Sequence, residues 1–196
     1  MAVYRVEGCQ WNCYPDTTVL INKFDIRDQS ELDSVEKQIT LLRGTQAEQE
    51  TDFVNIDFDF YKSLHKLLFG DLYDWAGTLR TINISKKGTV FCRYNELERV
   101  GTLKFSRLKS QDYLCGLCMD DFLNELTELY HELNMLHPFR EGNGRTLRIF
   151  ITLLVRNAGH DIDFSGCDSD MLMIATIKAA QGDTSVLRSI FQDIIT

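Results

Sequence analysis

Twelve consecutive residues decide how this chain of 196 residues is interpreted: His137-Pro138-Phe139-Arg140-Glu141-Gly142-Asn143-Gly144-Arg145-Thr146-Leu147-Arg148. A proline disfavours the helical conformation in the residue before it, so the apolar-periodic segment that precedes this stretch ends at His137. The two glycines let a tight turn approach a ligand closely. A second helix begins at the turn, and its free amides and positive dipole end face the same space. The stretch therefore predicts two consecutive helices joined by a tight turn, and the turn is predicted to bind an anion.

The side chains of this stretch complete a set of groups suited to phosphate transfer. His137 can act as a general base, and Glu141 offers the hard oxygen ligand that Mg²⁺ prefers. Arg145 and Arg148 are three residues apart on one helix face and can bind a polyphosphate in bidentate geometry. A histidine before proline, a Gly-Asn-Gly turn or two helical arginines alone are most often structural. Their convergence within twelve residues favours a catalytic site.

Outward from the motif, apolar spacing predicts a helical bundle. A helix over 25–42 has a predicted buried stripe of Ile26, Leu32, Val35, Ile39 and Leu42, with Asp28 or Ser30 as its N-cap. Further helices are predicted over residues 58–69, 119–136, 145–157, 169–180 and 185–195. Strand formers on both sides of Lys86-Lys87-Gly88 predict a β-hairpin over 79–92. The predicted fold class is all-α with one β-hairpin.

The charge pattern limits the classes of partner. The formal charge is −8, which argues against direct nucleic-acid or anionic-membrane binding. Residues 28–60 contain nine acidic and two basic residues, whereas residues 80–112 contain eight basic and three acidic ones. The second segment is a candidate basic surface for an anionic ligand or acidic partner, and the first a candidate surface for an inhibitory partner. Because no apolar run is long enough to span a bilayer and residues 1–11 lack a secretory pattern, we expect a cytoplasmic protein.

Six cysteines allow a second interpretation. Reduced thiols are the default in an intracellular chain of this size. Cys115 and Cys118 nevertheless have C-x-x-C spacing, and Cys9 and Cys13 could complete a four-thiolate zinc site. A structural zinc protein therefore remains an alternative, which predicts stoichiometric zinc and unfolding on chelation.

Residues 137–148 resemble the H-P-F-x-[D/E]-G-N-G-R-x-x-R motif of Fic domains at every defining position. The resemblance covers most of the chain. Residues 55–196 look like the Fic core, including Tyr73–Gly77 and Asn83–Lys86, and residues 14–36 are similar to the lead-in of short bacterial Fic toxins. We therefore divide the chain into an N-terminal lead-in and helix, residues 1–50, packed on a Fic core, residues 51–196.

The resemblance implies a protein adenylyltransferase that uses ATP and Mg²⁺. His137 would deprotonate a target hydroxyl, which attacks the α-phosphate and leaves AMP on the target protein. Glu141 would hold Mg²⁺, and Arg145 and Arg148 would bind the β- and γ-phosphates. The phosphate cradle would be formed by Gly142, Asn143 and Gly144. Phe139 would be a core anchor.

The hairpin would be the flap that docks the target segment by β-augmentation. Its predicted docking residues are Ile82, Asn83, Ile84, Ser85, Lys86, Lys87 and Gly88. The short toxins that the chain resembles typically modify type II topoisomerase subunits. They are inhibited by a small antitoxin that carries S/T-x-x-x-E-G/N, and no glutamate of this chain has Ser or Thr four residues before it. A separate antitoxin is therefore predicted.

Three alternatives stay open at this point. Fic relatives also transfer other phosphate-linked groups such as UMP or phosphocholine. Doc-type relatives, which phosphorylate, carry Lys where this chain has Gly144, so AMP transfer is favoured here. A non-catalytic nucleotide-binding module is disfavoured by the intact His137, and export as an effector is also compatible with the sequence.

Overall fold

The computed structural model describes residues 5–6 and 12–196 of the chain. Within them it has seven α-helices and one small antiparallel sheet, which confirms the predicted all-α bundle with a β-hairpin. The elements in chain order are β1 Arg5–Val6, α1 Gln29–Glu50, α2 Phe58–Phe69, β2 Ile84–Lys86, β3 Thr89–Val90, α3 Leu97–Ser110, α4 Met119–Leu136, α5 Asn143–Asn157, α6 Ser169–Ala180 and α7 Ser185–Ile194.

Helix α5 is the centre of the bundle. Its side chains Phe150, Ile151 and Leu154 are completely buried, which explains the mostly apolar sequence of this helix. Helices α1, α2 and α4 pack around it. The ring of Phe150 lies 5.4 Å from that of Tyr61 in α2 and 5.3 Å from that of Phe105 in α3. Helix α5 is thereby fixed relative to four other helices, and the motif turn lies at its start.

Helix α1 is longer than predicted and buries a different stripe. The side chain of Asp28 caps it by accepting a 2.9 Å hydrogen bond from the Glu31 amide. The predicted burial of Leu42 is wrong, because this side chain is 69% exposed. The buried positions are instead Leu32, Glu36, Thr40, Gly44 and Ala47. Apolar periodicity missed this stripe because two of its members are polar and one has no side chain.

Helix α3 was not predicted at all. Its buried positions are Leu97, Gly101, Phe105 and Leu108, so a glycine stands where the apolar stripe needs a large residue. The ring of Phe58 fills the space, since a Cβ atom on Gly101 would lie 2.4 Å from it. Gly101 interrupts the apolar periodicity that would predict this helix, and the same glycine lets the helix pack against Phe58.

The hairpin has shorter strands than the predicted span 79–92, and it gains a third strand. Ser85 pairs with Val90 and Lys86 with Thr89. Lys87 and Gly88 have φ angles of 47° and 84°, as a two-residue hairpin turn requires. On its other edge β2 pairs antiparallel with β1, so that the sheet order is β1-β2-β3. An extended segment of the chain thus lies along the outer edge of the hairpin.

The cysteines do not form the alternative zinc site within the described part of the chain. Residues 5–6 and 12–196 contain no group of three or more potential metal ligands. The Cys115 thiol contacts Asn157 at the end of α5, whereas the Cys13 thiol lies beside Thr18 and Arg140. Cys9 lies outside the described residues. Among the described helices, none is long and apolar enough to cross a membrane.

Candidate active site

His137 ends helix α4 in a left-handed conformation with a φ of 44°. Its ring is stacked on Phe91, just after β3, with 3.8 Å between the centroids, and the residue is only 5% exposed. Nδ1 lies 3.1 Å from the carbonyl oxygen of Asn134, a contact that favours the tautomer with hydrogen on Nδ1 and the lone pair on Nε2. Burial, together with the charges of Lys86 and Arg80, lowers the pKa of His137 to about 3. The imidazole is therefore neutral at physiological pH, as a general base requires.

Arg80 ties the hairpin to the end of α4. It is 1% exposed, and its guanidinium donates to the carbonyls of Ile82, His137 and Cys92. Its backbone amide also donates to the Pro138 carbonyl at 2.9 Å. Sequence analysis placed Arg80 only in the basic segment, because nothing in the pattern distinguishes a buried arginine from an exposed one.

The turn between α4 and α5 is closed by the side chain of Asn143. Its Oδ1 accepts from the Phe139 amide and its Nδ2 donates to the Phe139 carbonyl, both at 2.8 Å. Gly142 has a φ of 79°, and a Cβ there would lie 2.3 Å from the ring of Phe69. The Asn143 side chain is thus committed to the shape of the turn. What it offers to the predicted phosphate cradle is the backbone amide, together with those of Gly144 and Arg145 in the first turn of α5.

Glu141 is fixed by its neighbours on both sides. Its Oε1 accepts a 2.9 Å hydrogen bond from the Gly142 amide, and its carbonyl lies 3.0 Å from Nε2 of His65 in α2. The amide of Gly77 donates to the other ring nitrogen of His65, which is completely buried and stacks on Phe139. Burial lowers the pKa of His65 to about 3, so it is a neutral structural residue. In the sequence His65 carries no signal of this role, because its position in α2 resembles any core position.

The two motif arginines have different surroundings. The Arg145 guanidinium forms an ion pair with Glu36 of α1 at 2.5 Å and lies over the Phe69 ring at 4.8 Å. Arg148 lies near Tyr130 of α4, where its positive charge opposes the rise that burial causes in the pKa of the Tyr130 hydroxyl. Both arginines are partly exposed in the first two turns of α5. Glu36 was counted in the sequence only as part of the acidic segment.

The hairpin covers His137 from above. A small cavity of about 50 Å³ lies between the hairpin, α4 and α6, and is lined by Lys86, Thr89, Phe91, His137 and Met173. Of the predicted docking residues, Ile84 is buried, Asn83 accepts from the Tyr94 amide, and Ile82 accepts from Arg80. Ser85 and Lys86 are partly exposed, and the turn residues Lys87 and Gly88 are exposed. The hairpin is therefore anchored at its base and accessible near its tip.

The residues present fit a magnesium ion held jointly with phosphate. Burial raises the pKa of the Glu141 carboxyl, so a nearby cation would stabilise its charged form. Mg²⁺ commonly takes one or two carboxylates and completes its octahedral shell with water and substrate phosphate oxygens. A single acidic side chain beside an amide cradle matches that requirement. The absence of a larger ligand group among the described residues is compatible with it.

Comparisons with known proteins agree on one family. Residues 55–155 match the model of the Fic/DOC family. The chain is 37% identical over 176 residues to "Probable protein adenylyltransferase y4lH" of Sinorhizobium fredii, covering 89% of this chain and 90% of that protein. It is 35% identical over 182 residues to "Protein adenylyltransferase VbhT" of Bartonella schoenbuchensis, and that match spans 93% of this chain but only 38% of VbhT. Among solved structures, BepC of Bartonella tribocorum with bound AMPPNP superposes with a TM-score of 0.88 at 26% identity, covering 94% of this chain and 96% of the other.

The role of Arg80 generates a stability prediction. Arg80→Met keeps the length of the side chain but leaves the carbonyls of Ile82, His137 and Cys92 without their buried donor. We expect the free energy of unfolding to fall by about 3 kcal/mol or more. Urea denaturation measures this, and amide hydrogen exchange would show faster exchange in the hairpin than in α5.

The control is Arg43→Met, which removes a partly exposed ion pair with Asp71. It should cost less than about 1 kcal/mol, because exposed ion pairs stabilise little. Equal effects of the two substitutions would show that Arg80 does not anchor the hairpin.

Proposed function

The chain belongs to the Fic/DOC family, and we propose that it is a protein adenylyltransferase, which transfers AMP from ATP to a hydroxyl side chain of a target protein. The observation that carries this proposal is the convergence of a neutral buried histidine, an amide cradle and a buried carboxylate at one turn. The relatives named adenylyltransferases and the AMPPNP-bound structural neighbour support it.

In the proposed reaction, His137 receives the proton of the target hydroxyl on Nε2. The hydroxyl oxygen forms a bond to the α-phosphorus, the bond from that phosphorus to the bridging oxygen of the β-phosphate breaks, and pyrophosphate leaves. His137 supports this step because its lowered pKa keeps the imidazole neutral at physiological pH. The amides at the start of α5 stabilise the charge that develops on the phosphate oxygens.

The charged side chains hold the rest of ATP. Glu141 would hold Mg²⁺, which when bound neutralises phosphate charge. Arg145 and Arg148 would bind the β- and γ-phosphates, since they lie one turn apart at the same helix start as the cradle. Doc-type relatives, which phosphorylate their targets, carry a Lys at the position of Gly144. The glycine in this chain therefore favours AMP transfer over phosphorylation.

Labelled nucleotides test the proposal directly. With Mg²⁺, α-labelled ATP and either bacterial lysate or a purified type II topoisomerase subunit, we expect label in protein, and none from γ-labelled ATP. His137→Ala should reduce incorporation by at least about 100-fold, as removal of a general base does. His160→Gln, on the loop after α5, should retain activity.

Other outcomes distinguish the alternatives. Incorporation from α-labelled UTP or from CDP-choline in place of ATP would replace AMP with UMP or phosphocholine as the transferred group. Nucleotide binding without incorporation from any donor would make the protein a binding module. Incorporation by His137→Ala equal to that of the unmodified protein would contradict the assigned base.

The pH dependence follows from the charges around the turn. Glu141 must be ionised to bind a cation, and because burial raises its pKa, activity should fall as the pH drops through that raised value. Lys86 on β2 lowers the pKa of both Glu141 and His137 by its positive charge. Lys86→Met should therefore move the acid limb of the kcat/KM profile to higher pH.

Lys109→Met, at the end of α3, is the control for this measurement. Its profile should coincide with that of the unmodified protein. An acid limb in Lys86→Met that stays in place, or moves to lower pH, would contradict the electrostatic assignment of Lys86.

We further propose that the target segment docks on the hairpin residues 82–88. The pairing of β1 with β2 supports this, because the outer edge of β2 already accepts an extended segment. A target strand would displace Arg5–Val6 from that edge and bring its hydroxyl over His137. Lys86 and Lys87 near the tip suit an acidic target segment.

We also propose that the protein is a toxin held inactive by a separate small antitoxin. The lack of an S/T-x-x-x-E-G/N segment in the chain supports a partner that supplies one. Helix α1 offers a surface for it, since the adjacent residues Leu41 and Leu42 are each 69% exposed. A partner that covers these two leucines would remove apolar surface from water.

Growth measurements test the toxin proposal. Expression in a bacterial host should arrest growth, expression of His137→Ala should not, and co-expression of a small genomic neighbour with the antitoxin motif should restore growth. Unimpaired growth of cells that contain active, folded protein would contradict the toxin role, while the transferase activity would be judged by the labelling experiment alone.

A further inference from the structure

A buried carboxylate on α1 contacts the motif helix. The Glu36 side chain is only 5% exposed, and its Oε1 forms an ion pair with Nη2 of Arg145 at a distance of 2.5 Å. Arg145 in turn lies 3.8 Å from Oε1 of Glu141. The guanidinium therefore lies within ion-pair distance of two carboxylates, one from the lead-in helix and one from the motif itself.

The other contacts of Glu36 hold its carboxylate in place. The hydroxyl of Tyr73 donates to Oε2, the oxygen that Arg145 does not use. Thr40, one turn further along α1, donates to the Glu36 carbonyl at 2.7 Å, and its Oγ1 also accepts from Nη1 of Arg145 at 3.4 Å. Both carboxylate oxygens are thus occupied by side chains from different segments, which fixes the orientation of the group.

These contacts leave part of the Arg145 guanidinium available. A guanidinium has five N–H groups, and the contacts with Glu36 and Thr40 need only two of them. The Arg145 side chain is 29% exposed, and the ring of Phe69 supports one of its faces. Arg145 is thus held by α1 and still partly exposed, in the first turn of the helix whose amides form the cradle.

We propose that Glu36 is a positioning residue, which holds Arg145 in the orientation that binds the β-phosphate of the nucleotide. This inference rests on the proposed role of Arg145 in ATP binding. An arginine side chain is flexible, and its preorganisation by a fixed carboxylate reduces the entropy lost when it binds phosphate. The lead-in helix thus contributes to nucleotide binding without touching the nucleotide.

Binding of nucleotides with one and two phosphates tests the proposal. In the presence of Mg²⁺, Glu36→Gln should weaken ADP binding by about tenfold, because a charge-assisted contact is lost. AMP has no β-phosphate, so its affinity should stay within about twofold of that of the unmodified protein. Isothermal titration calorimetry measures both, and it requires no transferase activity.

Three further variants separate positioning from damage to the fold. Glu36→Asp keeps the charge but shortens the side chain, so it should weaken ADP binding less than Glu36→Gln. If Glu36→Gln does not fold, ADP binding is measured with Glu36→Asp instead. Glu48→Gln, on the same helix, removes an ion pair with Arg156 that is remote from the turn, and it should change neither affinity. In a protein that already carries Arg145→Ala, Glu36→Gln should not weaken the affinity for ADP any further.

The results that would overturn the proposal are distinct. Equal weakening of ADP and AMP would indicate general damage to the site. An additive effect with Arg145→Ala would show that Glu36 does not act through that arginine. Tighter ADP binding in Glu36→Gln would make Glu36 an internal brake. Since every readout is binding, a failure of AMP transfer would leave this test interpretable.

Discussion

The site depends on where the chain leaves helix α4. Pro138 ends the helix, and His137 takes a left-handed conformation. The buried guanidinium of Arg80 stabilises this conformation by donating a hydrogen bond to the His137 carbonyl. The same guanidinium holds the hairpin through Ile82 and Cys92. One buried cation thus couples the base, the turn and the flap, and its burial is tolerated because backbone carbonyls surround it.

Burial then sets the protonation states of the groups around the turn. It lowers the pKa of His137 and of His65 to about 3, and it raises the pKa of Glu141. Two neutral imidazoles result, of which one is structural and one lies under the hairpin. The distinction comes from their partners, since both nitrogens of His65 bond to backbone groups, whereas His137 contacts the Asn134 carbonyl through Nδ1 and stacks on Phe91 beneath the hairpin. Desolvation therefore keeps both imidazoles unprotonated before any substrate arrives.

The sequence predicted the helices on both sides of the motif and the turn between them well, because those features are local. The bounds of α2, α4 and α6 agree with the apolar spacing. The features that the sequence did not predict depend on tertiary contacts. Helix α3 lacks a continuous apolar stripe because Gly101 makes room for Phe58. Arg80, His65 and Glu36 have polar side chains whose partners are distant in the chain, so no periodicity or spacing marks them. The apparently exposed acidic segment thereby supplies the ion-pair partner of Arg145.

The central claim of this account is that a buried, neutral His137 is ready to accept a proton. Nitrogen-detected NMR of the histidine side chains tests it most directly, with His137→Ala used to assign the signal. We predict that His137 carries hydrogen on Nδ1 alone from pH 7 down to pH 5, as expected from its lowered pKa and its contact with Asn134. A His137 ring that carries hydrogen on both nitrogens at pH 6 would contradict the account.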